Sequence, residues 1–215
     1  MKKILTTAIL CAGLVGFTAC DSFLDEEPKS SLTLDTYYKT SADIIGNVNY
    51  LYRDGAPDKM GNMTGAYRGS SLSVMNMVTG YFVNEYEGQE VDCSYARQLT
   101  RQNFTQSCCN YLTNDTWKGC YKSINVANAV IKYVDGVEMD GQAQYKAEAR
   151  FFRALNYFYL VKMFGDVPMI TEPTEDATLV EYPARTAASE VYKTVIIPDL
   201  QFAVENLPDA TFAGN

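Results

Sequence analysis

A single stretch, YKAEARFFRALNYFYLVKMFGDVPMI from Tyr145 to Ile170, constrains this chain more than any other. Tyr145, Ala149, Phe152, Asn156, Tyr159 and Met163 recur at spacings of four and three, the period of one helical face. Phe151, Leu155 and Phe158 widen that stripe beyond half the circumference, so the spacing predicts a helix packed between neighbours rather than resting on a surface. Gly165 offers the left-handed turn that closes a helix, and Pro168 forbids its continuation. Arg150, Arg153 and Glu148 interrupt the apolar run and are expected in ion pairs that tie this helix to others.

A second long helix is predicted from about Cys108 to Val134, with Trp117, Tyr121, Ile124, Asn128, Ile131 and Val134 on one face and Gly136 at its end. The turn at Asp140-Gly141 is short, so the two helices are expected to pack antiparallel. Upstream, Asp25 to Lys39 reads as an extended leader. A helix starts near Ser41, whose hydroxyl is placed to cap it with Asp43 following; Ile44, Ile45, Val48, Leu51 and Tyr52 form its buried face. Ser71 to Thr79 suggests a short helix through Leu72, Met75 and Val78. Downstream, Pro168, Pro173 and Pro183 mark an extended excursion. A last helix is predicted from Thr186 to Asn206 with Val191, Val195, Leu200 and Ala203 available for burial, kinked or broken at Pro198. Helix pairs in series predict an all-α fold, a tetratricopeptide-like helical repeat (α-solenoid) with long irregular loops.

The first residues concern location. Lys2 and Lys3 precede an apolar run, Ile4 to Phe17, shorter than the roughly 20 residues that a membrane-spanning helix needs. The pattern is that of a secretory signal peptide over 1–19. Phe17-Thr18-Ala19-Cys20 resembles a lipobox, which makes Cys20 the lipidated first residue of the mature chain, and 20–40 an acidic tether ahead of a domain at 41–215. Of 18 basic residues, Lys2 and Lys3 lie in the leader, so the mature chain carries 16 against 26 acidic residues, a net charge of −10. That charge argues against nucleic acid as a partner. The chain has no histidine, which removes Ser-His-Asp and Cys-His catalysis and imidazole metal sites. Cys93, Cys108, Cys109 and Cys120 lack the paired C-x-x-C spacing of a cysteine-only zinc site. Three disulfide connectivities are open to them. Cys109 and Cys120 on one helix stand ~16 Å apart in rise, and four reduced thiols are the expected state.

The wording of these helices goes beyond periodicity. EARFFRAL followed by YFYLVKMFGDVP resembles the signature helix of the SusD/RagB family of outer-membrane nutrient-binding lipoproteins. The motif W-x-x-x-Y-x-x-I-x-x-A-N at Trp117, Tyr121, Ile124, Ala127 and Asn128 is similar to a second family motif, and EVYKTVIIPDLQFAVENLP from Glu190 to Pro208 to a third. The opening Asp21-Ser22-Phe23-Leu24-Asp25 after Cys20 fits the same family, and its acidic run with Glu26 and Glu27 resembles an export signal to the outer face. Family members continue past this point, so the resemblance implies an N-terminal part of a larger domain.

The resemblance further implies binding without catalysis and without a cofactor. The expected activity is capture of an oligosaccharide, or in some relatives a peptide, by a lipid-anchored protein on the exterior of the outer membrane. The expected partner is a SusC-like TonB-dependent transporter. Sugar recognition calls for flat aromatic faces with amides and charged groups for the hydroxyls. The irregular Gly80 to Ser107 segment supplies candidates in Tyr81, Asn84, Tyr86, Tyr95 and Arg97, whereas Trp117, on an apolar helical stripe, is assigned to the core. Two other classes compete. A glycoside hydrolase needs two carboxylates at defined separation, for which the acidic loop offers Glu172, Glu175 and Asp176. A structural repeat scaffold needs only the helices.

Overall fold

The computed structural model describes residues 34–54, 78–82, 98, 100–103, 116–174 and 183–209. Cys20, Cys93, Cys108 and Cys109 lie outside the described residues, as do the predicted turns of 71–77 and the start of the Cys108 helix. The described chain is helical: α1 (Leu34–Tyr37), α2 (Ser41–Asp54), α3 (Lys118–Tyr133), α4 (Gln142–Phe164), then α5 (Ala188–Val191) and α6 (Ile197–Asn206), joined by a π turn over Tyr192–Ile196. A two-residue antiparallel ribbon, β1 (Val167–Pro168) with β2 (Arg185–Thr186), closes the excursion between α4 and α5. The architecture is the expected tetratricopeptide-like helical fold, and Val167 facing Thr186 gives the excursion a fixed base.

Packing starts earlier than expected. Leu34–Tyr37 is a helical turn rather than extended leader, and Tyr38 is buried, its ring stacked on Tyr133 at 5.2 Å. The cap of α2 is Thr40 rather than Ser41. The Thr40 carbonyl accepts the first helical bonds, while its N–H and hydroxyl both donate to Asp43 Oδ2, at 2.8 and 2.7 Å. The carboxylate three residues on is a stronger acceptor than a serine hydroxyl, and so decides the boundary. These bonds also hold the Asp43 carboxyl below its usual pKa. Ile44, Val48 and Leu51 are buried as expected, but Tyr52 is 56% exposed.

Helices α3 and α4 form the central antiparallel pair. Tyr121 meets Tyr157, Asn128 meets Arg153 and Val134 receives Gln142, residue numbers falling on one helix as they rise on the other. Gly141 (φ 77°) starts α4 and Gly165 (φ 71°) ends it, with the Gly165 N–H bonded to Val161 O. Asp166 then caps α5 by accepting from Ala188 N at 3.0 Å. Two apolar clusters flank the middle of the pair. One gathers Ile44, Val48, Leu51, Val130, Val134 and Phe152 under α2; the other gathers Ile124, Tyr157, Leu160, Val191 and Val195 under α5. Cys120 is a buried thiol in the second cluster.

Between the clusters sits a polar node. Arg153 donates through Nε and Nη2 to the two oxygens of Asp199 on α6 (2.7 and 2.9 Å) and through Nη1 to Asn128 Oδ1 on α3 (2.9 Å). Arg150 approaches the same carboxylate at 3.8 Å and lies over the Phe202 ring at 4.2 Å. The expected ion pairs therefore form for both arginines, while Glu148 instead accepts from the neutral amide of Gln144. Turning Arg153 and Glu148 inward rotates the buried face of α4, which leaves Phe151 and Phe158 half-exposed rather than buried.

The last helical stretch runs on through Pro198, interrupted before it by a π turn. Pro198 sits in the first turn of α6, directly after a five-residue turn in which the Ile197 N–H bonds Tyr192 O. The wider turn absorbs the missing proline N–H. It also inserts one residue into the helical count, so the inward positions after it are Asp199 and Ala203, and Leu200 turns outward with Ile197 and Val204. Replacing Arg153 by Leu would leave the buried Asp199 carboxylate with only the longer Arg150 contact at 3.8 Å and should cost about 3 kcal/mol in urea unfolding. The double change Arg153→Leu with Asp199→Leu should recover most of that loss, because the buried carboxylate is gone and the cation left without its partner, Arg150, is partly exposed. A loss of under 0.5 kcal/mol in the single variant would place the pair in solvent.

Candidate functional site

Of the loop residues singled out for ligand contact, Tyr81 is the described one. Gly80 (φ 77°) turns the chain, the Tyr81 N–H donates to Thr79 Oγ1 at 3.3 Å, and the Tyr81 ring emerges 90% exposed with Phe82 beside it at 54%. A ring that exposed contributes nothing to the core and leaves both faces open. Asn84, Tyr86, Tyr95 and Arg97 lie outside the described residues. Trp117 is half-buried against Tyr121 and Phe164, in the second apolar cluster as expected.

The second feature is a strap, residues 168–174, laid along α3 and α4. Its main chain is gripped by side chains. Tyr121 OH donates to Pro168 O at 2.6 Å. Tyr157 OH donates to Ile170 O (2.8 Å) and accepts from Ile170 N (2.7 Å). Asn128 Nδ2 donates to Ile170 O and Glu172 O, and Asn125 Oδ1 accepts from Thr174 N at 2.7 Å. Burial is the main force pushing the Tyr157 phenol up to about 12, and it pushes Tyr121 up as well. Both therefore keep the proton that the clamp uses. Asn128 belongs to two systems, since its Oδ1 receives Arg153 while its amide holds the strap.

These clamp residues were not read as such from the sequence. Their signal was present in polar atoms at Tyr121, Asn128 and Tyr157 on otherwise apolar helical faces, where a buried donor requires a partner. The acidic loop nominated for hydrolysis shows no paired geometry among the described residues. Glu172 is exposed and Glu175 and Asp176 lie outside them. Among the described residues no group of three or more His, Cys, Asp or Glu side chains is placed to hold a metal ion. No described helix is long and apolar enough to cross a membrane.

A Tyr157→Phe variant would remove one of the two donors to Ile170 O and orphan the Ile170 N–H, at a cost of about 1–3 kcal/mol. Amide hydrogen exchange should accelerate at Ile170 while the middle of α3 stays protected. Undiminished protection at Ile170 would show that the strap is held by something else.

Comparison with known proteins places this geometry among relatives. Residues 22–213 match a family model of SusD-like proteins described as "Starch-binding associating with outer membrane". The chain is 31% identical over 216 residues to SusD-like protein P2 of Formosa agariphila, covering 99% of this chain and 40% of that protein. It is 28% identical over 219 residues to a SusD-like protein of Bacteroides ovatus, covering 98% of this chain and 35% of the relative. A solved structure described as a laminarin binding SusD-like protein superimposes with a TM-score of 0.68 at 26% identity, over 82% of this chain and 36% of that one. The chain thus spans well under half the length of each.

Proposed function

The chain belongs to the SusD-like family, and from that membership we propose that it is the N-terminal part of a non-catalytic lipoprotein that captures oligosaccharide outside the cell. Cys20 carries the lipid that anchors it to the outer membrane, and a SusC-like TonB-dependent transporter receives the ligand. The observation that carries this reading is the family match over 22–213, joined by the likeness to a laminarin-binding relative. The physical support is Tyr81. A planar ring open on both faces, on a tight turn stiffened by Gly80 and Thr79, suits stacking against the apolar face of a sugar. In this reading Asn84, Tyr86, Tyr95 and Arg97 belong to the same ligand-contacting loop. Asn and Arg would meet the hydroxyls.

Two experiments test the two halves of the proposal. Titration of the protein with laminarin, starch and xyloglucan should identify a glycan that binds. Tyr81→Ala should then weaken it about tenfold, the loss of one aromatic contact, with no change in melting temperature. Unaltered affinity would remove Tyr81 from the site. For the anchor, Cys20→Ala in a Gram-negative host should abolish palmitate incorporation and release the protein from the membrane fraction. Label persisting in the variant would overturn the assignment of Cys20.

A further inference from the structure

Away from the Tyr81 loop, one surface sets exposed aromatic rings beside buried polar groups on rigid helices. Tyr52 closes α2 and Phe151 lies in the middle of α4, and they are 56% and 37% exposed. Both are T-packed on the same buried ring, Phe152, with centroids 4.7 and 5.4 Å away. Beside them Glu148 is only 8% exposed. Its Oε1 accepts from Gln144 Nε2 at 3.0 Å, and burial together with the nearby Glu148 carboxylate raises the Tyr52 phenol above its usual pKa. Among the described residues no Lys or Arg nitrogen forms an ion pair with it. A neutral amide donor leaves part of a carboxylate's acceptor capacity unused, and an acid buried without a cation costs stability that packing alone does not explain.

The other apolar surface, Ile197, Leu200 and Val204 on α6, is aliphatic, with only Gln201 and Glu205 on its flank. The α2–α4 surface differs in kind. It sets planar rings, which suit the apolar face of a pyranose, over a buried carboxylate and an amide on the adjoining turn. It is also far smaller than the 20–30 residues a side of a stable protein interface.

We propose that Tyr52 and Phe151 form a second saccharide-binding platform, in which Glu148 and Gln144 act as positioning residues that fix the Tyr52 ring. The platform rests on the glycan-binding reading, and differs from the Tyr81 loop in being built on two helices whose side chains are held by Phe152. Such a site would take a sugar unit of the captured oligosaccharide distinct from the one that meets Tyr81.

The test is isothermal titration of the protein with whichever of laminarin, starch or xyloglucan binds. Tyr52→Ala and Phe151→Ala should each weaken binding about tenfold. Tyr52→Phe, which keeps the flat face but loses the hydroxyl facing Glu148, should weaken binding to the same smaller extent as Glu148→Ala. Glu148→Ala should weaken binding by freeing the ring, and Glu148→Gln, which retains an acceptor, should restore it. Both aromatics are exposed, so melting temperatures should hold; if Tyr52→Ala does not fold, Phe151→Ala and the Glu148 pair decide. Wild-type affinity in both alanine variants, with Tyr81→Ala still impaired, would overturn the platform alone. If no glycan binds the unaltered protein, the platform and the glycan-binding reading fall together.

Discussion

The two-pronged bond between Arg153 and Asp199 is the interaction on which the described fold turns. A guanidinium and a carboxylate removed from water need every hydrogen bond they can find, and here the requirement recruits Asn128 from a third helix. The planar fork accepts one geometry, so α3, α4 and α6 are fixed in register at one level, with an apolar cluster on each side. Apolar packing alone tolerates sliding by a turn; a bidentate pair does not. A lysine at 153 would present a point charge without the fork, and would leave Asn128 without its planar donor.

Much of this was legible in the sequence, for identifiable reasons. The ends of α4 were readable because Gly141, Gly165 and Pro168 act through backbone sterics that do not depend on context. The pairing of α3 with α4 followed from matched periods and a short turn. What failed was the assumption that apolar residues face inward whenever they have the choice. Asp199 faces in and Leu200 out because the partner of Asp199 lies 46 residues away, and because the π turn before Pro198 shifts the count. Tyr52, Phe151 and Phe158 were assigned to the core on the same assumption, and stand at the surface. Thr40 displaced Ser41 as the cap because the carboxylate of Asp43 is the better acceptor.

The candidate site was less legible than the fold. An exposed tyrosine at 81 could be anticipated from a loop with no helical period, but the company it keeps could not. The strap contacts from α3 join residues 42–49 positions apart, and no local pattern specifies them. The family was readable from motif wording, since three ordered stretches agree with it. Under the proposed reading the sugar was not, because ring stacking is indifferent to which sugar supplies the apolar face, and selectivity lies in the hydroxyl contacts around it.

The strap has one further property. Its path is set by bonds from Tyr121, Asn125, Asn128 and Tyr157 to its peptide groups, with Met169 and Pro173 packed inward while the side chains of Thr171, Glu172 and Thr174 project into solvent. Shape and chemistry are thereby uncoupled along this segment. The helices supply a mount, and the three exposed side chains at 171, 172 and 174 can change without loss of the bonds that hold the backbone. Those three positions are where variation along this segment is structurally silent.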